Sequence, residues 1–147
     1  MRIAVSACLL GENCKYNGGN NLRPELVELL LGHEVVAVCP EVLGGLATPR
    51  VPAEIVQGEV RNREDESVDA AFRCGAEEAW ARMQEAGGCD LAVLQPRSPS
   101  CGVGVVYDGT FSGTLVPGDG IFAALLRDHG IPCVSADDPA LPALLAE

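Results

Sequence analysis

Seven cysteines stand in a chain of 147 residues, and three of them occupy one kind of position. Cys8 follows the apolar run IAVSA, Cys39 follows EVVAV, and Cys101 lies six residues beyond LAVLQ. Each is followed by a residue that constrains the backbone: Gly11 after Leu10, Pro40 and Gly102. If the three runs are parallel strands, their carboxyl ends open on a common crevice, and thiols separated by 31 and 62 residues meet there. Converging thiolates select zinc, cuprous copper or an iron–sulfur cluster, and fewer than four protein ligands leave a coordination position open for chemistry. His33, ahead of the second run, and His129, at a helix end, are badly placed to complete a zinc set. The balance favours an iron–sulfur cluster with one non-cysteine position.

The other four cysteines divide differently. Cys74 is expected on the apolar face of a helix, Cys133 inside a strand and Cys89 at the amino end of one, all three as packing residues. Cys14 stays open as a fourth ligand or a redox partner, because its loop returns toward the first strand. The opening MRIAVSACLLGENC turns polar too early for a secretory signal, so the thiols are expected to be reduced and the protein cytoplasmic.

Strand-length apolar runs alternate with segments of helical period, which predicts an α/β fold. The expectation is a single Rossmann-like domain over residues 1–147, with a mostly parallel sheet, helices on both faces and short hairpin insertions. Strands are predicted at Arg2–Ala7, Glu34–Val38, Leu91–Gln95 and in IPCVS. Helices are predicted from Pro24 to Gly32, from Val68 to about Ala86, and after Asp119, which is expected to cap the last of these. EIVQGEVRN reads as a hairpin, and VVYDGTFSGTL as another that turns at Asp108-Gly109, with Thr110, Ser112 and Thr114 at a pocket rim.

Charge narrows the function. Ten Lys and Arg face 21 Asp and Glu, a net charge of −11, and a protein that grips DNA needs the opposite balance. No apolar run approaches the length of a bilayer span. Small molecules are the expected partners, and the oligomeric state is not legible. A local basic patch of Lys15, Arg23 and Arg50 stays open.

Four strings, SACLLGENCKYNG, VCPEVLGGLATPRVPAEI, RSPSCG and YDGTFSGTLVPGDG, occur in this order, and with them residues 3 to 135 resemble the bacterial thiouracil desulfidases. The resemblance implies a 4Fe-4S cluster on Cys8, Cys39 and Cys101, with one iron free to bind the sulfur of a thiolated nucleobase or nucleoside. It also implies replacement of C=S by C=O with release of sulfide and no net electron transfer. For that reaction Glu41, two residues after a ligand, is a candidate general base or proton shuttle, and Ser100 a candidate hydrogen-bond donor to substrate or cluster. Gln95-Pro96 before Arg97 departs from the family pattern, where a charged residue is often found. The alternatives are a redox sensor or electron carrier with Cys14 as fourth ligand, and a zinc-bound structural module.

Overall fold

The computed structural model describes residues 1–146. Four parallel strands form the central sheet: β1 (Arg2–Ser6), β2 (Glu34–Val38), β5 (Leu91–Leu94) and β8 (Cys133–Ser135), in the spatial order β2-β1-β5-β8. Alternation along the strands divides the core in two. Ile3, Val5, Leu91 and Val93 point to one face and pack on α1 (Pro24–Leu29) and α5 (Leu141–Leu145); Ala4, Ala92 and Leu94 point to the other, under α3 (Asp69–Glu85) and α4 (Ile121–Asp128). Burial on both faces explains why the two central strands, β1 and β5, read as unbroken apolar runs.

From β1 the chain passes to β2 on one side, and from β2 it crosses back to β5 on the other. The strand order therefore reverses at β1, which opens a crevice at the carboxyl ends. Two antiparallel pairs, β3 (Ala53–Val56) with β4 (Glu59–Asn62) and β6 (Val105–Tyr107) with β7 (Leu115–Pro117), lie outside the sheet. Among the described residues no helix is long and apolar enough to cross a membrane.

Four expectations are corrected. The first strand ends at Ser6, and Ala7–Leu10 form a 3-10 turn closed by Gly11 at φ 94°. Cys74 is exposed: the buried face of α3 runs through Phe72, Ala76, Ala79 and Met83, a helical spacing that turns Cys74 outward. Asp119 does not cap α4. Gly120 holds that position, and the Asp119 carboxylate accepts from the Gly104 amide at 2.7 Å and pairs with Arg127 at 3.1 Å. The second hairpin does not turn at Asp108-Gly109, because Tyr107 pairs with Leu115 across a loop of residues 108–114. That loop is pinned by Glu54, whose Oε1 accepts from the amides of Gly109 and Phe111.

A short helix, α2 (Pro40–Leu43), fills what reads as loop in the sequence. It crosses α3 backbone to backbone: a Cβ on Gly75 would lie 1.7 Å from the Pro40 oxygen, and one on Gly44 2.0 Å from the Ala71 oxygen. Helix propensity alone makes Gly75→Ala stabilising by about 1 kcal/mol. The contact reverses the sign, and Gly75→Ala is expected to destabilise by about 3 kcal/mol in denaturant titration. Cys74→Ala, next door on the exposed face, should stay within about 0.5 kcal/mol of the parent.

Candidate active site

The carboxyl ends of β1, β2 and β5 open on one cavity of about 590 Å³, and Cys8, Cys39 and Cys101 all line it. Each is held by the local backbone. Cys8 sits in the 3-10 turn after β1, where Asn21 brackets it, its amide bonded to the Cys8 carbonyl at 2.9 Å and its side chain donating to Sγ at 3.6 Å. Cys39 is the extended residue before α2, and Pro40 at the first helical position requires no amide partner. Cys101 is buried in the turn Ser98–Cys101, its amide donating to Ser98 Oγ at 2.7 Å. The start of α4 clamps that turn, since the amides of Ile121 and Phe122 donate to the carbonyls of Pro99 and Ser100 at 2.8 Å. These bonds do the work of a side-chain cap.

Burial raises the pKa of Cys8 and of Cys101; Cys39 and Glu41 raise Cys8 further and Cys8 and Cys39 raise Cys101, while hydrogen bonds from Asn21 to Cys8, and from Ser6 and Ser100 to Cys101, pull the other way. Left alone, such thiols keep their protons, and a cation beside them is what ionises them. The donor chemistry fits an iron–sulfur cluster: Cys8, Cys39 and Cys101 bring soft sulfurs from three strand ends to one cavity wall.

Beside the thiols lies a polar chain. Ser100 Oγ donates to Glu41 Oε2 at 2.7 Å and lies 3.8 Å from Cys101 Sγ. Arg50 Nε donates to Glu41 Oε1 at 3.0 Å, and the pair is largely shielded, with side chains 9% and 16% exposed. The same guanidinium donates to the carbonyl of Cys14 at 2.8 Å and to Thr48 Oγ1 at 3.0 Å. Arg50 thus ties the first loop to α2 and fixes the Glu41 carboxylate.

The structure brings together every residue singled out for chemistry: Cys8, Cys39, Cys101, Glu41 and Ser100. Cys14 lines the cavity too, and burial together with the neighbouring Cys39 pushes its thiol up to about 12. Cys89 and Cys133 pack against the core. His129 stacks on Trp80 at 3.9 Å and His33 bonds the Leu145 carbonyl at 2.9 Å, and neither lines the cavity. Of the basic patch, Lys15 and Arg50 face the cavity while Arg23 pairs with Asp137 at 2.7 Å. Phe111 and Gly113, not Thr110, Ser112 and Thr114, form the rim. Ser6 and Asn21 escape a reading of the sequence, although a serine ending a buried strand was a usable signal.

The sequence profile of the 2-thiouracil desulfurase family matches residues 3–138. A protein of Bacillus subtilis (strain 168), the uncharacterized protein YbbK, is 36% identical over 146 residues, covering 92% of this chain and 96% of that one. A solved structure, that of the 4Fe-4S-dependent thiouracil desulfidase TudS, superposes with a TM-score of 0.88 at 41% identity, over 97% of this chain and 95% of its own. A family profile that matches residues 3–138 and a solved structure of the same fold over 97% of the chain agree, and the chain belongs to the 2-thiouracil desulfurase family.

Proposed function

We propose that this chain removes the sulfur of a thiolated pyrimidine of the 2-thiouracil or 4-thiouracil type, on a 4Fe-4S cluster held by Cys8, Cys39 and Cys101. The observation that carries this reading is the meeting of three thiols from three strand ends in one cavity that also holds the bonded pair Ser100–Glu41. When bound, the cluster supplies an iron with an open position, a Lewis acid with affinity for sulfur.

The chain's own residues move the protons. Water must deliver oxygen to the carbon that bears sulfur, and its two protons leave with the sulfide, so no electron is transferred. Ser100 passes its proton to Glu41 Oε2 along the 2.7 Å bond and takes one from water, which makes the pair a relay from water to carboxylate. Arg50 occupies Oε1 and leaves Oε2 to the serine. Asn21 and Ser6 hold the sulfurs of Cys8 and Cys101, contacts of the kind that orient and tune metal ligands. The setting we propose is the cytoplasm, where the seven free cysteines stay reduced.

Protein reconstituted anaerobically with iron and sulfide is expected to release sulfide from 2-thiouracil or 4-thiouracil. Equal turnover by metal-free protein would overturn the reading. The place of Cys14 beside Cys39 favours one other reading, a redox sensor or electron carrier with four thiolate ligands. Cys14→Ser separates them: iron content and activity are expected to survive, whereas loss of iron would move the assignment to the sensor.

A further inference from the structure

Gln95 directly follows β5 at the crevice and lines the cavity. Its backbone is fixed from three directions. Its amide donates to Ser6 Oγ at 2.9 Å, Pro96 follows it, and Arg97 is held at φ 67°, in the left-handed region, by a bridge to Val106. The side chain at its tip is different. Gln95 Oε1 is buried with no donor within reach, alone in this among the buried side-chain polar atoms of the described residues, while the residue lines the cavity and keeps part of its surface exposed; a turn of the carboxamide about its last, soft torsion brings its polar atoms to the cavity.

Four other polar groups of the cavity are taken. Glu41 is shared by Arg50 and Ser100, Glu54 accepts two backbone amides, Asn21 donates to Cys8, and Ser98 accepts from the Cys101 amide. Buried acceptors in folded proteins are almost always answered, and one left over in the wall of a binding cavity points to a ligand. A carboxamide offers one donor and one acceptor side by side in a plane, and turning it over exchanges their places. Its complement is a ring edge with the reverse pair, an N–H beside a carbonyl.

A thiouracil carries that edge. Whether the sulfur is on the 2 or the 4 position, the imide N–H lies next to the thiocarbonyl, and the remaining carbonyl lies beyond it. With the sulfur toward the cysteines, the N–H and the carbonyl lie along one flank of the ring, beside the C=S bond and open to a group on the cavity wall. We propose that Gln95 reads this edge, its Oε1 accepting the imide N–H and its Nε2 donating to the neighbouring carbonyl. The assignment rests on the thiopyrimidine reading above and adds a substrate-orienting residue to it. It makes Gln95 a binding group that holds substrate and transition state alike, so its loss shows in KM.

The test uses the reconstituted holo protein and two variants, Gln95→Met, which removes both hydrogen-bonding atoms at similar length, and Gln95→Glu, which keeps an acceptor at the same reach. Iron and sulfide contents are expected to match the parent in both. With 4-thiouracil, Gln95→Met should raise KM about 10-fold and leave kcat within about 2-fold. Methylating the imide nitrogen of the substrate should cost the parent about 10-fold in kcat/KM, cost Gln95→Glu a similar factor, and cost Gln95→Met nothing further. An unchanged KM in Gln95→Met, or the same methylation penalty in all three proteins, overturns the proposal. Calorimetric binding of uracil keeps the two readings apart. If the parent binds uracil about 10-fold tighter than Gln95→Met does but releases no sulfide, the desulfurating activity fails and the reading of the edge stands. If the parent turns over thiouracil and both proteins bind uracil equally, only the Gln95 assignment falls.

Discussion

Cys8→Ala, Cys39→Ala and Cys101→Ala are each expected to abolish sulfide release, by on the order of 1,000-fold or more, because the proposed site cannot hold or poise an open iron when one of its three ligands is missing. The loss should appear first as iron. Each reconstituted variant is expected to carry much less metal and acid-labile sulfide than the parent, with the visible absorption reduced in step. Folding separates the three. Cys101 is buried in the core cluster with Leu94 and Phe122, so its truncation is expected to cost about 1 kcal/mol in denaturant titration as well. Cys8 and Cys39 sit half-buried at the cavity, and their variants should unfold close to the parent. A variant that kept full iron and full turnover would remove that cysteine from the ligand set. Retention in all three would remove the cluster assignment itself.

How this site is legible in a sequence with no local metal motif follows from strand geometry. Parallel strands share a direction, so residues just past their carboxyl ends share an edge, and the apolar runs IAVS, EVVAV and LAVL mark those ends to within a residue or two. The elements that were missed depend on partners remote in the chain. PEVL is too short to declare a helix, and its position is set by the glycine contact with α3, which no periodicity reveals. Asp108-Gly109 carries the chemistry of a tight turn, but Glu54 on another hairpin takes the loop's amides and holds it open. Cys74 and Asp119 were misplaced by small angular errors: one helical step turned the thiol outward, and one residue shifted the cap to Gly120. Arg50 was legible only as a charge. Its four bonds to the first loop, Thr48, Ala47 and Glu41 are a tertiary fact.

Glu41→Gln is expected to lower kcat by about 100- to 10,000-fold with the iron content unchanged, the range over which a positioned acid or base acts. Glutamine is the informative replacement. Its carbonyl oxygen can still accept from Arg50, so the shielded pair is not left with an unanswered guanidinium, which alanine would do at about 3 to 5 kcal/mol. What glutamine cannot do is take a proton from Ser100. Its amide would instead donate to the serine oxygen and reverse the 2.7 Å bond. Ser100→Ala is expected to lower kcat by about 100-fold, and because Ser100 Oγ also lies 3.8 Å from Cys101 Sγ, to shift the visible spectrum, which Glu41→Gln should leave nearly in place. If the two residues form one relay, the double variant should be no slower than Glu41→Gln alone, because removing a second member of a broken chain removes nothing more. Multiplying losses would mean separate tasks: Ser100 would then serve the sulfur ligand, and Glu41 would meet water or the ring without it. Near-parent kcat in Glu41→Gln would exclude the carboxylate from proton transfer altogether, and leave its bond to Arg50 as a fastening between α2 and the first loop.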